Sequence, residues 1–245
     1  MPRGIAAGTF AVLGVLLFAG LSGCVTRQVA PPLPGLAPAT SLAPSPLLGR
    51  PFDVVAADSR LIVLVYRAGA LAAVGHNHVI ACHCLSGTIY LPADPLRASF
   101  DLHLAVTQFT VDDPDLRAAE HSPDFPAGVP QSSRQGTRHN MLGGALLNAA
   151  RYPDIALRSA GLQPSPDGRR ADIVAQVLVQ LDGDWHPVAV PLRYEIRDGE
   201  IVASAEFPLR QTSLGLTPFS ALGGALQVRD GMKVALRLVA RPRGT

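Results

Sequence analysis

Charged side chains, aromatic side chains and cysteines are all scarce in this chain of 245 residues. Charged residues make up only 16% of the sequence, and the formal net charge is +2. This balance argues against a nucleic-acid-binding protein, which would concentrate lysine and arginine. Motifs for catalysis are missing as well, since neither a Gly-x-Ser-x-Gly turn nor a His-Glu-x-x-His helix occurs. We therefore expect a protein that is not an enzyme and that has one sizeable apolar core.

The first 24 residues have the layout of an export signal. Arg3 supplies a short positive region, residues 5–21 are apolar or small, and the segment ends in Leu21-Ser22-Gly23-Cys24. The stretch is too short and wrongly flanked for a membrane-spanning helix. Its ending resembles the lipobox of bacterial lipoproteins, in which the signal is cut before a cysteine that carries lipid. An uncleaved anchor, or an ordinary signal with a chance cysteine, is the alternative.

The lipobox resemblance implies that Cys24 is the lipid attachment site and that its acyl chains hold the mature protein on a membrane of the cell envelope. Val25 follows, where an aspartate would favour the inner membrane, so we expect the periplasmic face of the outer membrane. Residues 24–51 contain seven prolines and no apolar period, which is typical of an extended tether. The expected division is a signal peptide over 1–23, a tether over 24–51 and one domain over 52–245.

From Phe52 onward the apolar residues alternate with polar ones, which indicates strands with one buried face. Asp-Gly pairs at 167–168, 182–183, 198–199 and 230–231 mark turns between or before strands. The predicted strands are 60–66, 79–91, 100–106, 154–161, 173–181, 188–196, 201–207 and 232–240. Residues 132–150 have apolar residues at helical spacing instead, and the acidic run at 112–115 is interpreted as a solvated turn. The prediction is an all-β fold of about eight antiparallel strands, a barrel or a sandwich, with one helical insertion.

The order of several short motifs resembles the YceI-like family of bacterial secreted proteins, over roughly Phe52 to Ala240. The motifs are Ser59-Arg60-Leu61-Ile62-Val63, Gly75-His76-Asn77-His78, Asn140-Met141-Leu142, Ala150-Arg151-Tyr152-Pro153-Asp154-Ile155, the run from Leu181 to Val188, and the run from Phe207 to Gly215. The resemblance implies an eight-stranded antiparallel lipocalin-like barrel whose lumen holds a long isoprenoid or fatty chain. A barrel of this size can enclose one small ligand.

The strand alternation also predicts which side chains line such a lumen. The predicted lining residues are Leu102, Leu104, Val177, Val179, Val190, Leu192, Leu236 and Leu238. The expected partner is therefore a small-molecule lipid, bound through burial of apolar surface. A lumen filled by its own side chains would instead favour a structural lipoprotein with no ligand.

One dense group of possible metal ligands runs from His76 to Cys84. His76 and His78 form a His-x-His pair, and thiolates with imidazoles suit zinc or copper. On one unbroken strand the outer members would lie roughly 26 Å apart, so a site needs further ligands from His103, His121, His139 or His186. The alternatives are a metal site, a haem held by histidines in an envelope redox or stress protein, and histidines that only form hydrogen bonds at the barrel rim.

The pair Cys82 and Cys84 is separated by one residue. On a strand both side chains point to the same face, and a disulfide between them would be strained. The sequence therefore predicts that they are small core residues and not a structural crosslink.

Overall fold

The structure, a computed structural model, describes residues 42–244. The predicted signal peptide, Cys24 and most of the predicted tether lie outside the described residues. The strands are β1 Arg50–Val54, β2 Arg60–Ala68, β3 His78–Cys82, β4 Leu85–Leu91, β5 Ser99–Ala105, β6 Thr110–Val111, β7 Asp154–Pro164, β8 Ile173–Leu181, β9 Asp184–Arg197, β10 Glu200–Arg210, β11 Ser220–Ala221 and β12 Leu226–Pro242. The α-helices are α1 Pro114–Ala119 and α2 Gln131–Leu142. No helix within the described range is long and apolar enough to cross a membrane.

The strands close into an antiparallel barrel with eight positions around its wall. Strand β12 pairs β10 on one side, and on the other side it pairs β2 along its first part and β1 along its last part. The next position in the wall is shared by two short strands, β3 beside β2 and β4 beside β1. The position after it is shared by β6 beside β3 and β5 beside β4. Strands β7, β8, β9 and β10 complete the circle. The predicted eight-stranded barrel with a helical insertion is confirmed.

The connections between strands lie at two ends of this barrel. One end, here called the insertion end, carries the segments 69–77, 112–153, 182–183 and 211–225. The opposite end, here called the turn end, carries 92–98, 165–172 and 198–199. The two helices thus belong to the insertion end, where the long 112–153 segment joins β6 to β7.

Two of the predicted turns are tight hairpins. Asp182 and Gly183 connect β8 to β9 with φ values of 50° and 90°, and Asp198 and Gly199 connect β9 to β10 with 50° and 77°. Two positive φ values in a two-residue loop match the twist of the flanking strands, which is why Asp-Gly is favoured there. The pair at 230–231 is different, because it lies inside β12 at the place where its register with β2 shifts.

The predicted helix over 132–150 is too long. Helix α2 ends at Leu142, and Gly143 already has an extended backbone. Glycine lowers helix stability by about 1 kcal/mol relative to alanine, and two glycines follow each other here. The apolar residues beyond the helix are nevertheless inside, since Ala149 is buried and Leu146 packs against the core.

The predicted strand over 79–91 is two strands, with a break at His83 and Cys84. At this break Cys82 and Cys84 form a disulfide with their Cα atoms 5.2 Å apart. The prediction that these cysteines are not crosslinked is therefore wrong. The expectation rested on an unbroken strand, in which residues i and i+2 have Cα atoms roughly 6.6 Å apart. The break between β3 and β4 brings the two Cα atoms to 5.2 Å, a distance that a disulfide can span.

The end of the predicted tether also belongs to the barrel. Arg50 and Pro51 lie in β1, where they pair with Leu91 and Tyr90. Before them, the backbone N–H of Ser45 donates to the carbonyl of Ser159 on β7, at 2.7 Å. Proline is tolerated at Pro51 because it stands near the start of β1, before this strand begins to pair with β12 at Phe52.

Candidate functional site

The inside of the barrel is an apolar cavity of about 290 Å³. All eight residues predicted to line the lumen lie on its wall: Leu102, Leu104, Val177, Val179, Val190, Leu192, Leu236 and Leu238. They come from β5, β8, β9 and β12, so side chains that are distant in sequence meet across the lumen. The lumen is therefore not filled by its own side chains.

Strand β2 supplies further wall residues that the sequence did not assign. Leu61, Val63 and Val65 face the lumen, whereas Leu64 packs with Val79 and Phe125 in a second apolar cluster. The second cluster includes a residue of the insertion, so β2 is covered on both faces. A strand buried on both faces is apolar at every position, and its alternation cannot show which side faces inward.

The insertion end contributes the rest of the cover. Met141, Leu146 and Leu147 come from the insertion, and Leu214 and Leu216 come from the 211–225 segment. Gln211 is the one polar side chain in the described part of the wall and is only 6% exposed. Its amide nitrogen donates to the carbonyl of Arg229 at 2.7 Å, so its position in the wall is set by the backbone of β12.

A second, polar recess of about 220 Å³ adjoins the lumen at this end. It shares the apolar residues Leu146, Leu181, Leu214 and Leu216 with the lumen wall. Its polar side is formed by residues around the β8–β9 hairpin and by the 211–225 segment: Asp182, Asp184, His186 and Thr217. The apolar chamber therefore has a polar neighbour on one side of its insertion end.

A buried charge cluster fastens the insertion to the wall. Asp112 and Arg117 are both 1% exposed, and Arg117 Nη1 donates to Asp112 Oδ1 at 2.5 Å. The other carboxylate oxygen lies 2.6 Å from Nδ1 of His78. The interpretation of the 112–115 run as a solvated turn is therefore wrong for Asp112. The next residue, Asp113, caps α1 by accepting from the N–H groups of Asp115 and Leu116.

Hydrogen bonds to this cluster come from the wall and from the insertion. Burial would raise the pKa of Asp112, but the hydrogen bonds from His78, from the N–H of Val79 and from Arg117 hold that pKa below its ordinary value. Arg117 also donates to the carbonyls of Asn77 and Pro126, at 2.7 and 2.8 Å. The cluster thus joins the start of β3 to the chain on both sides of α1, at Asp112 before the helix and at Pro126 after it.

Asn77 adds a second link of the same kind. Its side-chain oxygen accepts from the N–H of Arg67 at 2.9 Å, and its amide nitrogen donates to the carbonyl of Asp124 at 2.9 Å. The Gly75-His76-Asn77-His78 motif therefore fastens the insertion to the wall through hydrogen bonds. The sequence did not reveal its partners Asp112 and Asp124, because they lie more than 30 residues further along the chain.

The possible metal ligands are not brought together. His76 and His78 have ring centroids 6.5 Å apart, and His78 is engaged by Asp112. His103 points outward, with Asp101 Oδ1 3.4 Å from its Nε2. Within residues 42–244 no group of three histidine, cysteine, aspartate or glutamate side chains is arranged to hold a metal ion. The metal and haem alternatives for His76 and His78 stay predictions.

The barrel has the fold of known bacterial proteins. It superposes on BcnA from Burkholderia cenocepacia with a TM-score of 0.53 at 14% identity, over 76% of this chain and 98% of that chain. A polyisoprenoid-binding domain from Saccharophagus degradans gives 0.47 at 10% identity, over 78% and 98% of the chains. The YceI protein of Campylobacter jejuni gives 0.43 at 10% identity, over 65% and 82%. No protein-family model and no curated protein sequence matches the chain.

At 14% identity the likeness to BcnA shows the fold alone, a lipocalin-like antiparallel β-barrel. The barrel that the YceI-like resemblance implied is confirmed by the strand pairing. Fold does not identify a ligand, whereas the residues that line the cavity restrict its chemistry.

Proposed function

We propose that this protein binds a long-chain amphiphilic lipid, of the isoprenoid or fatty class, and carries or sequesters it in the envelope. The observation that carries the proposal is the apolar lumen of about 290 Å³. Gln211 is the one polar side chain in the described part of its wall. Each methylene group moved from water into such a chamber contributes about 0.8 kcal/mol. The activity proposed is binding and not catalysis.

The polar recess beside the lumen supports one orientation of the proposed ligand. Asp182, Asp184 and His186 surround its polar side, and it shares Leu146 and Leu214 with the lumen. Carboxylates accept hydrogen bonds. In this proposal a head group that donates hydrogen bonds, such as a hydroxyl group, lies in the recess while its chain lies in the lumen.

The test compares two neighbouring residues of β5 that point in opposite directions. Leu104 lines the lumen and is buried, whereas the side chain of His103 is 45% exposed. Leu104→Trp should fill the lumen and abolish binding of a fluorescent long-chain fatty acid. His103→Trp adds the same ring outside the barrel and should leave binding intact. Unchanged binding in Leu104→Trp, with its fold intact by circular dichroism, would rule out the lumen as the site.

The place of this binding is proposed from the Leu21-Ser22-Gly23-Cys24 sequence alone. Cys24 carries the lipid anchor, and the anchored protein faces the periplasm from the outer membrane. Cys24→Ala should release the protein from the membrane fraction or leave an uncut precursor. Mature protein that stays on membranes without added lipid mass would contradict the anchor.

Mass spectrometry of native protein from the envelope would identify the lumen ligand, and a bound metal or haem would be detected in the same spectrum.

A further inference from the structure

Two segments of the insertion end expose large apolar side chains to solvent. Leu71 and Val74 lie in the 69–77 segment, and Phe219 and Leu222 lie in the 211–225 segment. Val74 is 70% exposed and Leu222 is 71% exposed, which are the highest values among the large apolar residues of the described chain. We call these four residues the apolar tip.

The two segments form one surface. The backbone N–H of Leu71 donates to the carbonyl of Ala225 at 2.8 Å. At their base, Gln227 of β12 lies between Ala68 of β2 and Ser220 of β11, and it pairs with both. Neighbouring strands are about 4.8 Å apart, so the residues on the two segments lie close enough to be covered by one partner.

The backbone conformation at Leu222 gives no reason for a large side chain at this position. Leu222 has a φ of 52°, a conformation that favours glycine, and it is followed directly by Gly223 and Gly224. A large apolar side chain is thus held in the solvent at a position where the backbone would be more relaxed without one. Single exposed apolar side chains are ordinary, whereas several that lie together on one surface mark an interaction site.

The two segments of the apolar tip are uncharged and have arginines at their edges. Neither the 69–77 nor the 211–225 segment contains an aspartate, glutamate, lysine or arginine. The strands at their edges carry the exposed residues Arg67, Arg210 and Arg229. Among these arginines stands Asp230, whose carboxylate accepts from the N–H and the hydroxyl of Thr212, at 2.9 and 2.8 Å. The other acidic residues beside the two segments are Asp182 and Asp184 in the polar recess and Asp124, whose carbonyl accepts from Asn77. Apolar side chains bordered by basic ones are typical of segments that lie in a membrane interface.

One segment of the apolar tip also lines the lumen. The segment that exposes Phe219 and Leu222 contributes Gln211, Leu214 and Leu216 to the lumen wall. Contact at the tip would therefore bring the lumen up to whatever surface the tip enters.

We infer that the apolar tip inserts into the interface of an anionic bilayer and docks the insertion end of the barrel on it. This surface is separate from the anchor at Cys24 and from the lumen. It gives the barrel a defined orientation, with the insertion end and the lumen residues Gln211, Leu214 and Leu216 on the side of the lipid.

Tryptophan fluorescence tests the orientation in the mature full-length protein. Trp185 is the one tryptophan of the sequence, so Trp185→Phe provides a silent background. In that background Val74→Trp reports on the apolar tip. Leu96→Trp is the matched control, because Leu96 is an exposed apolar residue of the turn end. Each protein is mixed with vesicles of phosphatidylglycerol and phosphatidylethanolamine whose acyl chains are brominated or not, because brominated chains quench tryptophan at short range.

The expected result is a loss of fluorescence for Val74→Trp on brominated vesicles and no loss for Leu96→Trp. Phe219→Trp, a milder change, should behave as Val74→Trp does. Adding Leu222→Asp should reduce the quenching, and high salt should weaken it because the arginines are screened.

Absent quenching at both tip positions, or equal quenching at Leu96, would overturn the inference. A blue shift at the tip without vesicles, accompanied by dimers in sedimentation, would overturn it in favour of self-association. This assay measures contact between the tip and acyl chains, whereas the Leu104→Trp experiment measures binding of a fatty acid in the lumen, so either can fail while the other succeeds.

Discussion

Arg117 and Asp112 form an ion pair in which neither side chain is accessible to solvent, with 2.5 Å between Nη1 and Oδ1. They are five residues apart, on the two sides of the turn that begins α1. Nη2 of Arg117 has no hydrogen-bond partner within the described residues, and Nε and Nη1 otherwise donate to carbonyl oxygens. Asp112 is therefore the anionic group that this buried cation contacts there. The pair, together with His78, holds the insertion against the barrel wall.

Asp112→Asn should destabilise the protein by about 3 kcal/mol or more, because it leaves the Arg117 guanidinium buried without a counter-charge. The measurement is the free energy of unfolding by urea. Asp113→Asn is the matched control, since Asp113 caps α1 at the surface and asparagine is an equally good cap. Similar losses in both variants would show that the buried pair has no special weight.

Acid should weaken the same cluster. The pKa of Asp112 is lowered in the folded protein, and its ordinary value is 3.8. A carboxyl group with a lowered folded pKa contributes stability that is complete above its unfolded pKa and is lost as the pH falls through its folded pKa. The free energy of unfolding should therefore fall as the pH drops below about 3.8. Asp112→Asn should make this fall shallower, and an identical slope in both proteins would count against the assignment.

Leu236→Asp should destabilise the barrel by several kcal/mol, roughly 3 or more, because it places an unpaired carboxylate in the apolar lumen. The neighbouring Arg237 is exposed on the outside of the same strand, so Arg237→Asp is expected to change stability by much less. Thermal unfolding followed by circular dichroism compares the two. Equal melting temperatures would contradict the inward direction of Leu236.

The Cys82–Cys84 disulfide predicts the thiol content of the isolated protein. Alkylation under denaturing conditions should label neither cysteine before reduction and both after it, as read by peptide mass spectrometry. Because only one residue separates the two cysteines, the bond closes a very short loop and constrains the unfolded chain little. The double variant Cys82→Ala/Cys84→Ala should therefore still fold. Free thiols in protein from an oxidising compartment would contradict the crosslink.

The alternation of apolar residues predicted most of the barrel strands and the eight wall residues, but not β1, β6 or the break between β3 and β4. Leu102 and Leu104, or Leu236 and Leu238, are two residues apart, and a period of two places both on one face of a strand. All eight predicted wall residues line the cavity for this reason. Where the alternation is missing, as from Leu61 to Tyr66, the sequence could not distinguish the lumen face from the face beneath the insertion.

Contacts between distant segments were decided only by the tertiary structure. Asp112 stands in a run of acidic residues that is typical of a solvated turn, and its burial depends on His78 and Arg117. The disulfide depends on the break between β3 and β4, and the apolar tip depends on β2 and β11 lying on either side of β12. Local periodicity reports which side of a strand is apolar, since it follows from backbone geometry. Which segments become neighbours follows from how the barrel closes, and that is a property of the whole chain.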